Sequence, residues 1–254
     1  MTTTIRNTKR FGWHPSLPDQ RDRVFTVSPT PLYPQTVDPR AHSWGVANQE
    51  QEGACTAFGS LSAWRQLLIQ EGLPTFEPSY QSSYYWSRYL EGTTQTDSGA
   101  TIRDAVKVIA TRGVAPNSMW PYLQSNMFKG PPKAVGDAAK KNLALQYQSV
   151  ALTQDAICSA IYKNGNVIIG ISVYSSFESD AVAKTGIVPL PAANETLLGG
   201  HCMHALGFSI PHKWVLVKNS WGAAWGDRGY CYIPFNYLTN PNLASDFWTI
   251  SKDN

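Results

Sequence analysis

The chain has 254 residues with 43% hydrophobic and 15% charged side chains and a formal net charge of +3, enough for a sizeable core in one domain or two packed lobes. Its Lys and Arg residues are dispersed, so no basic stripe gathers nucleic-acid phosphates. No apolar segment follows Arg6, Lys9 and Arg10 to act as a signal peptide, and no apolar run is long enough to span a bilayer, which predicts a soluble cytoplasmic protein without nucleic-acid or membrane partners.

Residues 1–33 are rich in Pro, Arg and Thr and hold neither helical nor strand periodicity, so an extended or irregular segment is expected there, ahead of a domain over 34–254. Beyond Cys55, the apolar residues Ala57, Leu61, Trp64 and Leu68 recur at helical spacing until Glu71-Gly72-Leu73-Pro74, where Gly caps the helix and Pro forbids its continuation. Cys55 therefore falls in the first turn of a buried helix. A second helix is predicted over Ser79 to Tyr89. A third starts at Thr101 and Asp104 in a capping-box-like pattern, carries Ile102, Val106 and Ile109 on one face and ends at Gly113. The first half predicts a helical lobe.

A further helix over Gln154 to Lys163 is stopped by Asn164-Gly165, and the pattern then turns β-branched. Strands are predicted at Val167 to Tyr174, His201 to Ser209, Lys213 to Asn219, Gly229 to Ile233 and Phe247 to Ile250. The second half predicts an antiparallel sheet or partial barrel, and the fold class is α+β.

Chemistry concentrates in three separated segments: Asn48 to Phe58 around Gln49 and Cys55, Gly199-Gly200-His201, and Lys218-Asn219-Ser220-Trp221-Gly222. A thiol with an ordinary pKa of roughly 8.5 is mostly protonated at neutral pH and needs activation. A helix N-terminus supplies partial positive charge and a neighbouring imidazole supplies more, while a third group must orient that imidazole. Cys55, His201 and Asn219 fill these roles. His204 competes with His201, but three positions apart on a strand the two point to opposite faces. If Ser209 pairs with Lys213 across the turn Ile210-Pro211-His212, Asn219 lies opposite Met203, on the face of His201. Zinc held by Cys55, His201, Cys202 and His204 is the rival chemistry, and alternation divides those ligands between two faces, so no metal and no cofactor are expected.

These motifs resemble the papain family of cysteine peptidases: a Gln six residues before the Cys in Gln49-Glu50-Gln51-Glu52-Gly53-Ala54-Cys55, a His opening a strand, and Asn219-Ser220-Trp221-Gly222. The resemblance implies a two-lobed papain-like fold with the active site in the cleft. It implies a Cys55–His201–Asn219 endopeptidase in which the Gln49 side chain and the Cys55 backbone N–H stabilise the oxyanion. Trp221 resembles the indole that covers the Asn–His hydrogen bond, and Trp225 extends the same motif or is a core aromatic. Gly99, Ala100, Thr101 and Ile102 take the place where the family lines its cleft. With Gly170 and Gly199, Thr101 and Ile102 would line a roomy apolar pocket for the substrate residue one position upstream of the cleaved one, narrowed by Ile102. Glu50, Gln51 and Glu52 are expected as a solvated turn, and Thr56 stands where plant and lysosomal members carry Trp.

The disulfide cysteine of secreted members is replaced by Glu52, and Cys158, Cys202 and Cys231 are expected as buried thiols, which fits a reducing compartment in a bacterial or phage setting. The partner implied is a peptide or protein substrate. The leading segment, with Gly12 to Val27 across the primed side of the cleft, is expected as an intramolecular inhibitor or a stabilising belt. The alternatives are another thiol acyl transfer, such as transpeptidation or deamidation, and a binding or virion component on the same fold.

Overall fold

The structure, a computed structural model, describes residues 11–30, 32–142 and 145–252, so Arg6, Lys9 and Arg10 lie outside the described residues. After a two-residue strand, β1 (Thr36–Val37), the chain enters the helical lobe through α1 (Cys55–Gln70), α2 (Tyr80–Leu90) and α3 (Ile102–Arg112). The caps follow local chemistry. Ser79 and Thr101 accept the backbone N–H groups of Ser82 and Asp104, and Gly72 just beyond α1 takes the left-handed conformation at φ +66°.

A short α4 (Lys133–Ala139) leads to β2 (Leu145–Ser149), α5 (Gln154–Asn164) and β3 (Val167–Tyr174). The chain continues through α6 (Asp180–Thr185), β4 (Leu197–Ser209), β5 (Trp214–Lys218), β6 (Tyr230–Pro234), α7 (Phe235–Leu238) and β7 (Ala244–Lys252). The strands form one seven-stranded sheet in the order β2-β7-β3-β4-β5-β6, with β1 on β4, and every strand pair is antiparallel. Its topology is that of the two-lobed papain-like α+β fold.

One face of the sheet meets α1 and α3, where Leu61, Trp64, Val106 and Ile109 pack with Ile168, Cys202, Trp248 and Ile250. The other face meets α5, where Ile157 and Ile161 join Ile169, Ile171, Phe208 and Val217. Burial of both faces explains why β3 reads as an unbroken apolar run. The central strand β4 therefore separates two apolar layers, and its residues alternate between them.

The β4–β5 hairpin departs from the register expected from its turn. Ser209 pairs with Trp214 and not with Lys213, because Lys213 takes φ +60° and belongs to the turn. The ladder then skips Leu206 between Ala205 and Gly207, a β-bulge that restores the pairing of His204 with Lys218. Two one-residue shifts cancel, and Asn219 ends level with Met203.

The segment before β1 is fixed at both ends of its described course. Trp13 forms an isolated parallel bridge with Ala100, and Val24 forms one with Ser149. Phe25 N–H donates to the Ser149 carbonyl at 2.8 Å, Ser149 N–H donates to the Arg23 carbonyl, and the Phe25 ring is buried in the α5-side core.

Candidate active site

Cys55 opens α1 and is fully buried, and the backbone N–H of Cys202 on β4 donates to its sulfur. Helix start and central strand thus meet at the thiol. Gly59, one turn further along α1, permits this approach, since a β-carbon there would stand 2.8 Å from the Cys202 sulfur.

His201 precedes Cys202 and points to the other side of β4. Its Nε2 lies 2.9 Å from Asn219 Oδ1, and its ring stacks on the Trp221 indole with centroids 4.8 Å apart and planes 27° apart. Asn219 Oδ1 also accepts the Ser220 backbone N–H at 2.8 Å, so the oxygen and not the amide nitrogen faces the imidazole. Phe177 and Trp225 pack on Trp221 and on each other, so Trp225 serves the core that holds the cover in place.

Gln49 is buried and doubly pinned. Its side-chain oxygen accepts from Ser220 Oγ at 2.6 Å, its Nε2 donates to the Glu52 carbonyl at 2.9 Å, and its backbone N–H donates to the Ser220 carbonyl. The loop before α1 is thereby tied to the residue that follows Asn219. The turn here is only partly solvated: Glu50 and Gln51 are exposed, but Glu52 is buried, receives a hydrogen bond from Gln81 Nε2, and its carboxyl is raised above its ordinary value by burial. Its position against the wall of α2 overturns the expectation of a fully solvated turn.

His204 faces α1. Its Nδ1 lies 2.9 Å from Ser62 Oγ, and burial beside the Lys218 ammonium pushes it down to about 3, so it stays neutral. Burial also pushes Lys218 down to about 7, with Ser43 Oγ and the Trp44 carbonyl as its acceptors. Cys158, Cys202 and Cys231 are buried thiols, and none of the four cysteines is in a disulfide. Among the described residues no cluster of His, Cys, Asp and Glu is arranged to hold a metal ion.

The cleft is occupied by the chain's own leading segment. Phe11 rests against the rings of His201 and Trp221, at 6.1 and 6.3 Å between centroids. Gly12 crosses the thiol: its N–H donates to the Cys55 sulfur and its carbonyl accepts from Ala100 N–H at 2.8 Å. Trp13 N–H donates to the Gly200 carbonyl, and its indole fills a pocket over Gly170 and Gly200. Gly99, Gly199 and Gly53 border this track, while Thr101 caps α3 and Ile102 is fully buried in the core cluster that includes Trp13. The segment does not keep to the primed side, since it spans from Trp221 across Cys55 into the Gly170 pocket. Burial beneath it pushes the Cys55 thiol up to about 11, against backbone donors from Cys202, Gly12 and Thr56 that pull it down.

Three residues of this arrangement have no catalytic signal in the sequence. Phe11 and Trp13 flank a glycine in a stretch without periodicity, and Asp246, which receives the Trp13 indole N–H at 3.2 Å, interrupts a strand. Only the odd Gly12-Trp13-His14-Pro15 cluster marks Trp13.

Comparison with known proteins places the site in context. Residues 33–247 match the family model described as papain family cysteine protease. A peptidase C1-like protein of Acanthamoeba polyphaga mimivirus is 34% identical over 99% of this chain and 89% of its own length. Digestive cysteine proteinase 3 of Homarus americanus is 26% identical over 97% of this chain and 75% of its own length. The crystal structure of xylellain, a cysteine protease from Xylella fastidiosa, superposes with a TM-score of 0.91 at 30% identity, covering 99% of this chain and 100% of that one. Digestive procathepsin L 3 of Tenebrio molitor shares the fold, with a TM-score of 0.71 at 21% identity over 91% of this chain and 74% of its own.

Proposed function

The chain belongs to the papain family of cysteine proteases, and from that premise we propose that it is an endopeptidase working through Cys55, His201 and Asn219, held closed by its own residues 11–16. The observation that carries the catalytic part is the His201–Asn219 contact of 2.9 Å beneath the stacked Trp221 indole. Asn219 holds Nε2, so proton exchange with the sulfur falls to Nδ1. An indole cover excludes water and strengthens the bond that fixes the ring.

In the proposed reaction Nδ1 takes the Cys55 proton and the sulfur attacks the peptide carbonyl. Negative charge collects on the carbonyl oxygen, and in this reading the Cys55 backbone N–H and the Gln49 amide proton not given to Glu52 are its donors. The oxygen reforms its double bond as the C–N bond breaks, and His201 returns the proton to the leaving amine. Water, deprotonated by His201, then attacks the thioester; the C–S bond breaks, the acid leaves, and His201 returns the proton to the Cys55 sulfur. Ser220 and Glu52 hold the Gln49 amide so that its oxygen cannot turn toward the oxyanion.

Inhibition by the leading segment is supported by the direction of its polar groups. Gly12 turns an N–H toward the sulfur while its carbonyl oxygen accepts from Ala100 N–H, so the segment is anchored across the thiol by a donor on one side and an acceptor on the other. In this reading the segment covers the thiol and keeps substrate from it.

Peptide hydrolysis by purified full-length protein, with His201→Ala and Phe11→Ala as companions, tests both parts. The expected result is near-complete loss in the first and faster turnover in the second. Peptide hydrolysis undiminished in His201→Ala would overturn the catalytic assignment.

A further inference from the structure

The pocket that Trp13 fills has an acidic floor. Opposite Ile169, β7 carries extra residues: Ile168 pairs with Trp248 and Gly170 pairs with Ser245, which leaves Asp246 and Phe247 in a bulge. Asp246 there adopts φ +61°, a conformation that Asp and Asn tolerate better than other side-chain-bearing residues. Bulges re-aim side chains, and this one sends a carboxylate toward the cleft instead of along the strand face.

That carboxylate receives four hydrogen bonds, three of them from the blocking segment. Trp13 Nε1 donates at 3.2 Å, Ser16 N–H at 3.2 Å and Ser16 Oγ at 3.0 Å, all to Oδ2, while Trp248 Nε1 donates to Oδ1 at 2.8 Å. Among the described residues no Lys or Arg forms an ion pair with it; Arg103, over the Trp248 ring, is paired with Asp22. When residues 11–16 leave, Asp246 loses three of its donors together. A half-buried carboxylate stripped of its donors is costly unless the incoming ligand replaces them.

We infer that the pocket vacated by Trp13 takes a basic side chain of the peptide substrate, arginine in preference to lysine, with Asp246 as its specificity-determining acceptor. The inference rests on the endopeptidase reading above. The walls suit a long stem, since Gly170 and Gly200 lack the β-carbons that would stand 2.2 and 2.8 Å from the indole. An apolar stem packs where the indole did, and a guanidinium fork reproduces the convergent N–H donors on Oδ2 better than an ammonium. The surroundings reinforce the sign: Glu91 and Asp104 face the same ground, and the His14 imidazole, 3.5 Å from Glu91, belongs to the segment and departs with it.

The test uses the full-length protein and its Gly12→Ala variant with peptides in which each of the three residues before the scissile bond is varied among Arg, citrulline, Lys, Leu and Phe. Citrulline keeps the shape of arginine without its charge. At one position kcat/KM for Arg should exceed that for citrulline by about 10- to 100-fold, the range of one charge-assisted hydrogen bond. Asp246→Asn, which keeps a residue suited to the left-handed backbone, should bring that ratio close to 1. Equal rates for Arg and citrulline at all three positions, or a ratio unmoved in Asp246→Asn, would overturn the inference while leaving the peptidase intact. No cleavage of any peptide would overturn the peptidase reading and this inference with it.

Discussion

Gly12 passes Gly53 so closely that a β-carbon at position 12 would fall 1.8 Å from the Gly53 carbonyl oxygen. The obstacle is backbone on the loop that leads into α1, so it cannot turn aside as a side chain would. Gly12→Ala is therefore expected to lift residues 11–13 off Cys55. Peptide turnover and alkylation of Cys55 by iodoacetamide at neutral pH should both rise about 10-fold or more, since one overpacked position costs about 1–3 kcal/mol and about 1.4 kcal/mol is a factor of ten. Circular dichroism should show the body of the fold unchanged.

Docking of the segment should weaken as pH rises. His14 is raised above its ordinary value, chiefly by its hydrogen bond to Glu91, with Asp246 and Asp104 also facing it. A base raised in the docked state stabilises docking fully below its ordinary value of 6.5 and stops doing so as pH passes its docked value. The turnover ratio of wild type to Gly12→Ala, which cancels the pH dependence of catalysis, should increase between pH 5.5 and 8. His14→Gln should flatten that rise.

The two histidines of β4 should separate cleanly. His201→Ala should lose at least about 10³-fold in kcat/KM, the scale of a deleted general base, with little change in melting temperature. His204→Ala should keep most activity but lose about 2–4 kcal/mol of stability, from a cavity and an orphaned Ser62 hydroxyl. Thermal denaturation beside kinetics distinguishes them.

Trp221→Ala should admit water to the His201–Asn219 bond and lower kcat by about 10-fold, with a smaller effect on KM. Trp225, which touches Trp221 and not His201, should act mainly through stability.

How much of this is legible in the sequence depends on the range over which each feature is determined. The start of α1 at Cys55 and the caps at Thr101 and Gly165 are local, and propensity with spacing suffices to find them. A register read from the turn alone places Asn219 near His201 but mispairs Ser209; the bulge at Leu206 restores the pairing, so the placement holds only because two one-residue shifts cancel. Asp246 lies beyond this kind of reasoning altogether: alternation along β7 gives it no direction, because a left-handed residue within a bulge breaks the period. The short β1, α6 and α7 fall below the length at which periodicity is visible, and they are fixed by partners distant in sequence.

Residues 23–25 explain why truncation is a poorer probe than point substitution. Phe25 is part of the core and Arg23 and Phe25 extend the sheet beyond β2, so removing residues 1–30 would damage the fold together with the block. Changes at Phe11 or Gly12 loosen only the stretch over the thiol, whereas Trp13 is also part of the core.

The most direct measurement compares peptide hydrolysis by full-length Gly12→Ala with that by Gly12→Ala carrying Cys55→Ala, each verified as folded. Catalysis through the Cys55 thiol predicts rapid cleavage by the first and none above background by the second, and equal cleavage by both would contradict it.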